Sequence, residues 1–385
     1  MAFCRPLHLK DPSPVLSKRQ SVSELAKGDG SGGAGYPLSG LVRDYYIAAE
    51  EIEWDYTPMR YDRFHGGELN DTVARTFTIS GPQRIGSRYK KAVYRAYTDP
   101  TFATRAPHEH HLGLLGPIVR AEVGDKIRIH FKNMASRHYS IHPHGVKYSP
   151  MSEGAYYSNT LNQKGARVPP GETHIYVWDV PERSGPGTED ASSMLHAYHS
   201  HVEDPADIFA GLLGPIIIYR RGMLDADGLP SGFIDQEVVT ALLVTDENRS
   251  PYLADNIAKY TTDPKGVDIS NPEFRASNFM ENINGFMFNN LDELPLHMNS
   301  RVRWYVFSLG STFDMHTAHW HGSSVSMAGH RMDVVDVFPA SFRTVDMIPD
   351  NLGEWMFHCH VSDHVMKGMS IFYQVKESID EDLYE

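Results

Sequence analysis

Between about residues 41 and 378 the chain alternates apolar and polar positions in short runs. Lys126-Ile127-Arg128-Ile129-His130-Phe131, His174-Ile175-Tyr176-Val177-Trp178 and Arg301-Val302-Arg303-Trp304-Tyr305-Val306-Phe307 are examples. They have the two-residue period of strands, favour β-branched and aromatic residues, and are bounded by Gly, Pro and Asn. Helical periods are few. The pattern predicts an all-β chain built of sandwiches or barrels. The ends read differently. Residues 1–40 predict a flexible N-terminal tail containing a Gly-rich stretch over 28–35, and the final ESIDEDLYE predicts a short acidic solvated tail. The first twenty residues hold no apolar run of signal-peptide length.

The chain also repeats itself. His142-Pro143-His144-Gly145 recurs as His319-Trp320-His321-Gly322, and His199-Ser200-His201 recurs as His358-Cys359-His360. Each pair sits late in a block of similar size. Two homologous β-domains are expected, 41–222 and 236–378, joined by residues 223–235.

Composition narrows the chemistry. Among 385 residues, 36 Lys and Arg against 49 Asp and Glu give a net charge of −13, which argues against a general nucleic-acid binder. Mean hydropathy is −0.40 and no apolar run approaches the ~20 residues of a membrane span. Two cysteines, Cys4 and Cys359, make a disulfide framework untenable. Twenty-one histidines are the unusual count.

On a strand, both imidazoles of His-x-His point one way and the middle residue the other. Four such motifs offer His142, His144, His199, His201, His319, His321, His358 and His360, too many nitrogens for one ion and enough for a small metal cluster. One copy alone would read as an ordinary surface strand; four, at matched places, read as a cluster. Cys359 faces away from its two flanking histidines. With His316, His364 and Met369 it completes the two-His, one-thiolate, weak-axial-Met set of a mononuclear blue-copper site. Ser200 stands at the matching position of the first repeat, so one such site per chain is expected. The Cys–His linkage then joins a one-electron acceptor to a centre that can pool the four electrons needed to take dioxygen to water.

At these residues the chain resembles the multicopper oxidases, most closely their ceruloplasmin/hephaestin branch. HTAHWHG (316–322), HCHVSDHVMKGM (358–369), KNMASRHYSIHPHG (132–145) and YHSHVEDPADIFAGLLGPIII (198–218) carry the resemblance, which extends over about 43–376. It implies two cupredoxin-like Greek-key β-sandwiches and about four coppers per chain. His142 and His319 would serve type 2 copper. His144, His199, His201, His321, His358 and His360 would serve the type 3 pair, and His316, Cys359, His364 and Met369 type 1. The branch has six such domains, with the cluster between the first and the last. Two domains could rebuild that ring as a homotrimer with inter-subunit clusters, as the two-domain laccases do. An extracellular or periplasmic location is implied as well.

For substrate, the resemblance implies Fe(II) held by carboxylates beside type 1 copper. Asp363 matches one of them. The branch's upstream Glu and His fall at Ala276 and Glu281, so Glu281 with Asp363 would form a reduced iron site; the plain alternative is two solvated loop acids. A laccase-like oxidase of phenols is the competing expectation, and a non-catalytic copper-binding or coagulation-cofactor-like module is the other class. Glu153 is a candidate proton donor to reduced dioxygen, or else a turn residue. His108-Glu109-His110-His111 reads as a surface loop.

Overall fold

A computed structural model describes residues 40–161, 163–232, 234–310 and 314–377. The expected tail over 1–40 falls almost wholly outside them, as does the acidic end beyond 377.

Four large sheets form two sandwiches. In the first, a sheet ordered Arg88–Tyr97, Val42–Asp55, Lys126–Asn133, Thr173–Asp179, Lys147–Tyr148 faces a sheet ordered Val119–Glu122, Leu213–Tyr219, Ser193–His199, His142–Pro143. In the second, Phe279–Ile283, Gln236–Asp246, Val302–Ser308, Ser341–Met347, Val325–Met327, His330–Met332 faces Pro295–His297, Ser370–Lys376, Gly353–Cys359, His316–Trp320, Val334–Val337. The repeat seen in the motifs thus extends to topology. In each sandwich the first strand pairs antiparallel with the second of its sheet and parallel with a later one: Val42–Asp55 with Lys126–Asn133, and Gln236–Asp246 with Val302–Ser308. Both are Greek-key β-sandwiches, in line with the strand periodicity.

Alternation does the building. Lys126–Asn133 buries every second residue, so Ile127, Ile129 and Phe131 enter the first core while Lys126, Arg128, His130 and Lys132 face outward. In the second core Trp304 packs against Trp320, Phe357 and Tyr373 with ring centroids 5.0–5.8 Å apart. Burying one such ring contributes roughly 2–3 kcal/mol.

The sandwiches are joined by a third apolar cluster that includes Leu195, Ile217 and Tyr219 from one side and Val239, Tyr305 and Phe307 from the other. Two buried ion pairs cross the same contact. Lys91 meets Glu247, with Tyr56 and the Phe209 carbonyl as further partners, and Arg120 meets Glu237 at 2.9 Å. The segment expected to be a surface loop, His108-Glu109-His110-His111, is exposed at His110 but enters this contact at His111. The His111 ring, only 12% exposed, accepts from the Val239 N–H, and its carbonyl accepts from Asn284. The segment's polarity divides between the two settings: His111 bonds across the halves, whereas the His110 side chain is 61% exposed.

Candidate metal centres and the adjoining pocket

Strand pairing brings the histidine motifs together in the same way in both halves. His142 lies opposite His199, and His319 lies opposite His358. The motifs straddle strand ends rather than lie within strands: His144, His201, His321 and His360 each fall just past the end of their strand, and His201 then bridges to Ala155. In the first motif of each half, the glycine that follows makes that exit possible. Gly145 (φ +78°) and Gly322 (φ +70°) are left-handed, and a Cβ there would strike the His196 and Trp355 rings at 2.3 and 2.5 Å.

Donor atoms within 4.8 Å of one another fall into three groups among the described residues: His142, His144 and His199; His319, His321 and His358; and His316, Cys359 and His364. His201 and His360 complete the first two by ring contact, 5.2 Å from His142 and 5.2 Å from His319 between centroids. Within the histidine groups, facing nitrogens lie 3.1–3.2 Å apart: His144 Nε2 to His199 Nε2, His319 Nδ1 to His358 Nε2, and His321 Nε2 to His358 Nε2.

Backbone carbonyls fix the ring faces. His199 Nδ1 meets the Ser200 carbonyl at 3.0 Å and His358 Nδ1 meets the Cys359 carbonyl at 2.8 Å, the same device at matched positions. His142 Nδ1 meets the Glu153 carbonyl at 2.6 Å. Each ring donates there and presents Nε2 to the group. Burial, reinforced by neighbouring imidazoles, holds His144 and His358 down near pKa 4 and His199 near 3. At neutral pH they are uncharged, with lone pairs available to a metal.

The Cys359 group faces the other way. On His316–Trp320 the residues His316, Ala318 and Trp320 are buried while Thr317 and His319 are less so, and Ala318 lies opposite Cys359. The small alanine leaves the thiol within the core. Cys359 Sγ lies 3.7 Å from His316 Nδ1 and 3.6 Å from His364 Nδ1, and the two nitrogens lie 3.1 Å apart. An ion at the centre of that triangle would be roughly 2 Å from each donor, the length of metal bonds to imidazole and thiolate. Soft sulfur with two imidazoles suits copper. Met369 is fully buried in the same core, and its carbonyl accepts from the Cys359 N–H at 3.1 Å. Ser200 makes no such group. Its hydroxyl donates to Asp207 at 2.6 Å and accepts from the Ser140 N–H at 3.2 Å.

Two contacts escape sequence reasoning. Asp314, fully buried, meets His316 Nε2 at 3.2 Å and anchors itself on the Val244 N–H at 2.7 Å. It orients the ring that shares the triangle. Its only signal in the sequence is a spacing of two from His316. Glu153 turns its carboxylate to the Tyr157 hydroxyl at 2.8 Å, and it is its carbonyl that reaches His142.

A cavity of about 540 Å³ opens beside His364. Phe77, Val244, Pro272 and Phe279 give it apolar walls, and Glu281, Asp363, His364 and Lys367 its polar end. Ala276 sits at the rim. Glu281 stands on Phe279–Ile283, held in register against Val244, and is only 3% exposed, so it is no solvated loop acid. Burial pushes its carboxyl up to about 7, against the pull of Lys367. The Asp363 carboxylate is 68% exposed.

Comparison with known proteins follows this geometry. The family described as multicopper oxidase matches residues 111–222 and 260–378, together more than half the chain. The chain belongs to the multicopper oxidase family. Over 344 residues, 88% of this chain, it is 44% identical to hephaestin of Mus musculus; over 348 residues it is 45% identical to ceruloplasmin of Homo sapiens. Ferroxidase HEPHL1 of Homo sapiens is 43% identical over 346 residues. The chain spans about 30% of the length of these curated relatives. A crystal structure of a multicopper oxidase, 19% identical, aligns over 89% of this chain and 92% of its own at a TM-score of 0.54. The copper nitrite reductase of Nitrosomonas europaea, 16% identical, aligns over 87% and 94% at 0.53. These two share the cupredoxin-like fold of this multicopper oxidase. Copper is the metal of the family, which accords with the donor set. No helix among the described residues is long and apolar enough to cross a membrane.

Proposed function

We propose that the chain is a ferroxidase-type multicopper oxidase, in which four ferrous ions each lose one electron and dioxygen takes four electrons and four protons to become two waters. The observation that carries this reading is the triangle of Cys359, His316 and His364, whose cysteine is flanked by His358 and His360 of a second donor group. Bound copper would supply one-electron redox chemistry at the triangle and multi-electron reduction of dioxygen at the histidines. Four ions per chain would fit the donors: one would be held by His316, Cys359 and His364 with Met369 alongside, and three by the eight motif histidines, His142 and His319 being the residues that would hold the type 2 ion.

The protein's own residues do the rest. Cys359 ties the two groups through a single stretch of backbone. Asp314 positions His316, and the Glu153 carbonyl positions His142. The pocket brings a reductant against His364, with Glu281 and Asp363 to attract Fe(II). Hard carboxylates favour Fe(III) over Fe(II), which aids electron loss.

The two histidine groups sit on different sheets of different sandwiches and form separate donor groups. Each is half of a centre. A cyclic homotrimer, with the first sandwich of one subunit facing the second sandwich of the next, completes three. The relatives' likeness favours an extracellular or periplasmic setting.

The test is kinetic. Copper-loaded protein is expected to show an intense visible band and to consume oxygen with Fe(II). Asp363→Ala and Glu281→Ala are each expected to lower kcat/KM for Fe(II) more than for a phenol. Iron turnover untouched by both changes would remove Fe(II) as the substrate and leave the laccase-like reading.

A further inference from the structure

The acidic end of the pocket already holds a cation. Lys367 closes the short Ser362–Met366 helix, donating its N–H to the Asp363 and His364 carbonyls at 3.3 and 3.2 Å. That turn aims its side chain along the same face as Asp363, four residues earlier. The ammonium lies 2.5 Å from Asp363 and 3.4 Å from Glu281. It bridges the two carboxylates proposed to attract Fe(II). Glu281 cannot turn elsewhere, because its strand is locked in register and its side chain is buried. Its second oxygen, Oε2, has no hydrogen-bond partner. A buried carboxylate oxygen without a partner leaves one ligand position unsatisfied. At the rim, where a further acid would strengthen cation binding, stands Ala276, with the exposed Arg275 beside it.

Resting on the ferroxidase reading, we propose that Lys367 is the specificity-determining residue of this pocket. Its ammonium is the resident counter-ion of Glu281 and Asp363, and a divalent cation binds only by displacing it. The lysine is 38% exposed and has solvent to swing into, so displacement needs no backbone movement. An uncharged organic reductant, resting on Phe77, Pro272 and Phe279, reaches His364 without that exchange. Lys367 thus raises the KM for Fe(II) and narrows the gap between a metal and an organic reductant.

The binding test uses copper-loaded full chain, kept free of dioxygen so that the probe is not turned over, and Mn(II) as the divalent probe. Calorimetric titration of Mn(II) into Lys367→Met is expected to show binding at least tenfold tighter than in the parent. Lys367→Arg is expected to stay close to the parent. The doubly changed Lys367→Met/Glu281→Gln form is expected to lose the gain, which separates the pocket from surface acids. In Lys367→Met the ratio of kcat/KM for Fe(II) to that for hydroquinone is expected to rise. The visible band reports whether the neighbouring centre is intact. Mn(II) affinity within twofold of the parent in Lys367→Met, with the band intact, overturns the proposal. Tighter Mn(II) binding without Fe(II) turnover in either form upholds the lysine's role and removes Fe(II) as the substrate.

Discussion

At the residue scale the proposed chemistry turns on a single sulfur. Cys359→Ser keeps the volume near Ala318 but replaces a soft donor with a hard hydroxyl. Copper-loaded Cys359→Ser is expected to be colourless and to consume oxygen at background rate with either reductant, which absorption and an oxygen electrode would check. Asp314 acts at one remove. Removing a carboxylate that orients a ligating histidine costs about 10–100-fold in metal affinity or activity. Asp314→Asn is therefore expected to weaken retention of the ion in the Cys359 group by that factor in a chelator competition, with the histidine groups unaffected. The histidines and Cys359 were legible in the sequence chiefly through the repeat, because the strand period reaches His142, His199, His319, His358 and Cys359 but ends before the second histidine of each motif. Asp314 and Lys367 were not. Asp314 matters through His316, and Lys367 matters because a strand some eighty residues earlier delivers Glu281 to it. Neither fact is carried by local spacing.

Elements carry the contact between halves. Lys91 on Arg88–Tyr97 and Glu247 after Gln236–Asp246 are both buried, and removing one partner strands the other charge. Lys91→Met is expected to cost about 3–5 kcal/mol, and Lys91→Met/Glu247→Leu to recover most of it. Chemical denaturation of the three forms would measure both. Burial holds His108 near pKa 4 and His111 near 3, whereas unfolded histidines titrate near about 6.5. Between those values the unfolded chain binds more protons, so stability falls as pH drops from 7 toward 4, by about 1.4 kcal/mol per pH unit for each group. Tm of metal-free protein across that range is expected to fall less steeply in His111→Gln. The part of His111 in the contact was not legible, because polarity looks the same whether it faces water or another sandwich. Strands were legible where alternation was clean, as in Lys126–Asn133. The two-residue His142–Pro143 pairing was legible only through its repeat.

At the scale of the whole molecule, the two histidine groups are separate, and the proposed ring would complete each of them with a neighbouring subunit. Sedimentation of copper-loaded protein is expected to give about three times 43.4 kDa. A His144→Ala/His199→Ala form and a His321→Ala/His358→Ala form are each expected to be inactive, and co-refolding them to restore part of the activity. Mixed rings would then pair an intact first half with an intact second half. A monomer with full activity would overturn this arrangement. The paired sandwiches were legible in the repeat, but the separation of the two histidine groups was expected only through the family resemblance, because motif spacing does not say which sheets the sandwiches turn toward each other.

Ser200 carries a consequence for how the protein copes with surplus metal. Asp207 collects the Ser200 hydroxyl and the N–H groups of Val202 and Glu203, so the twin of the thiolate position is saturated by its own neighbours. Nothing there invites a stray ion. Protein produced in excess copper is therefore expected to carry no ion at that twin, and metal analysis to find no more than the proposed four per chain.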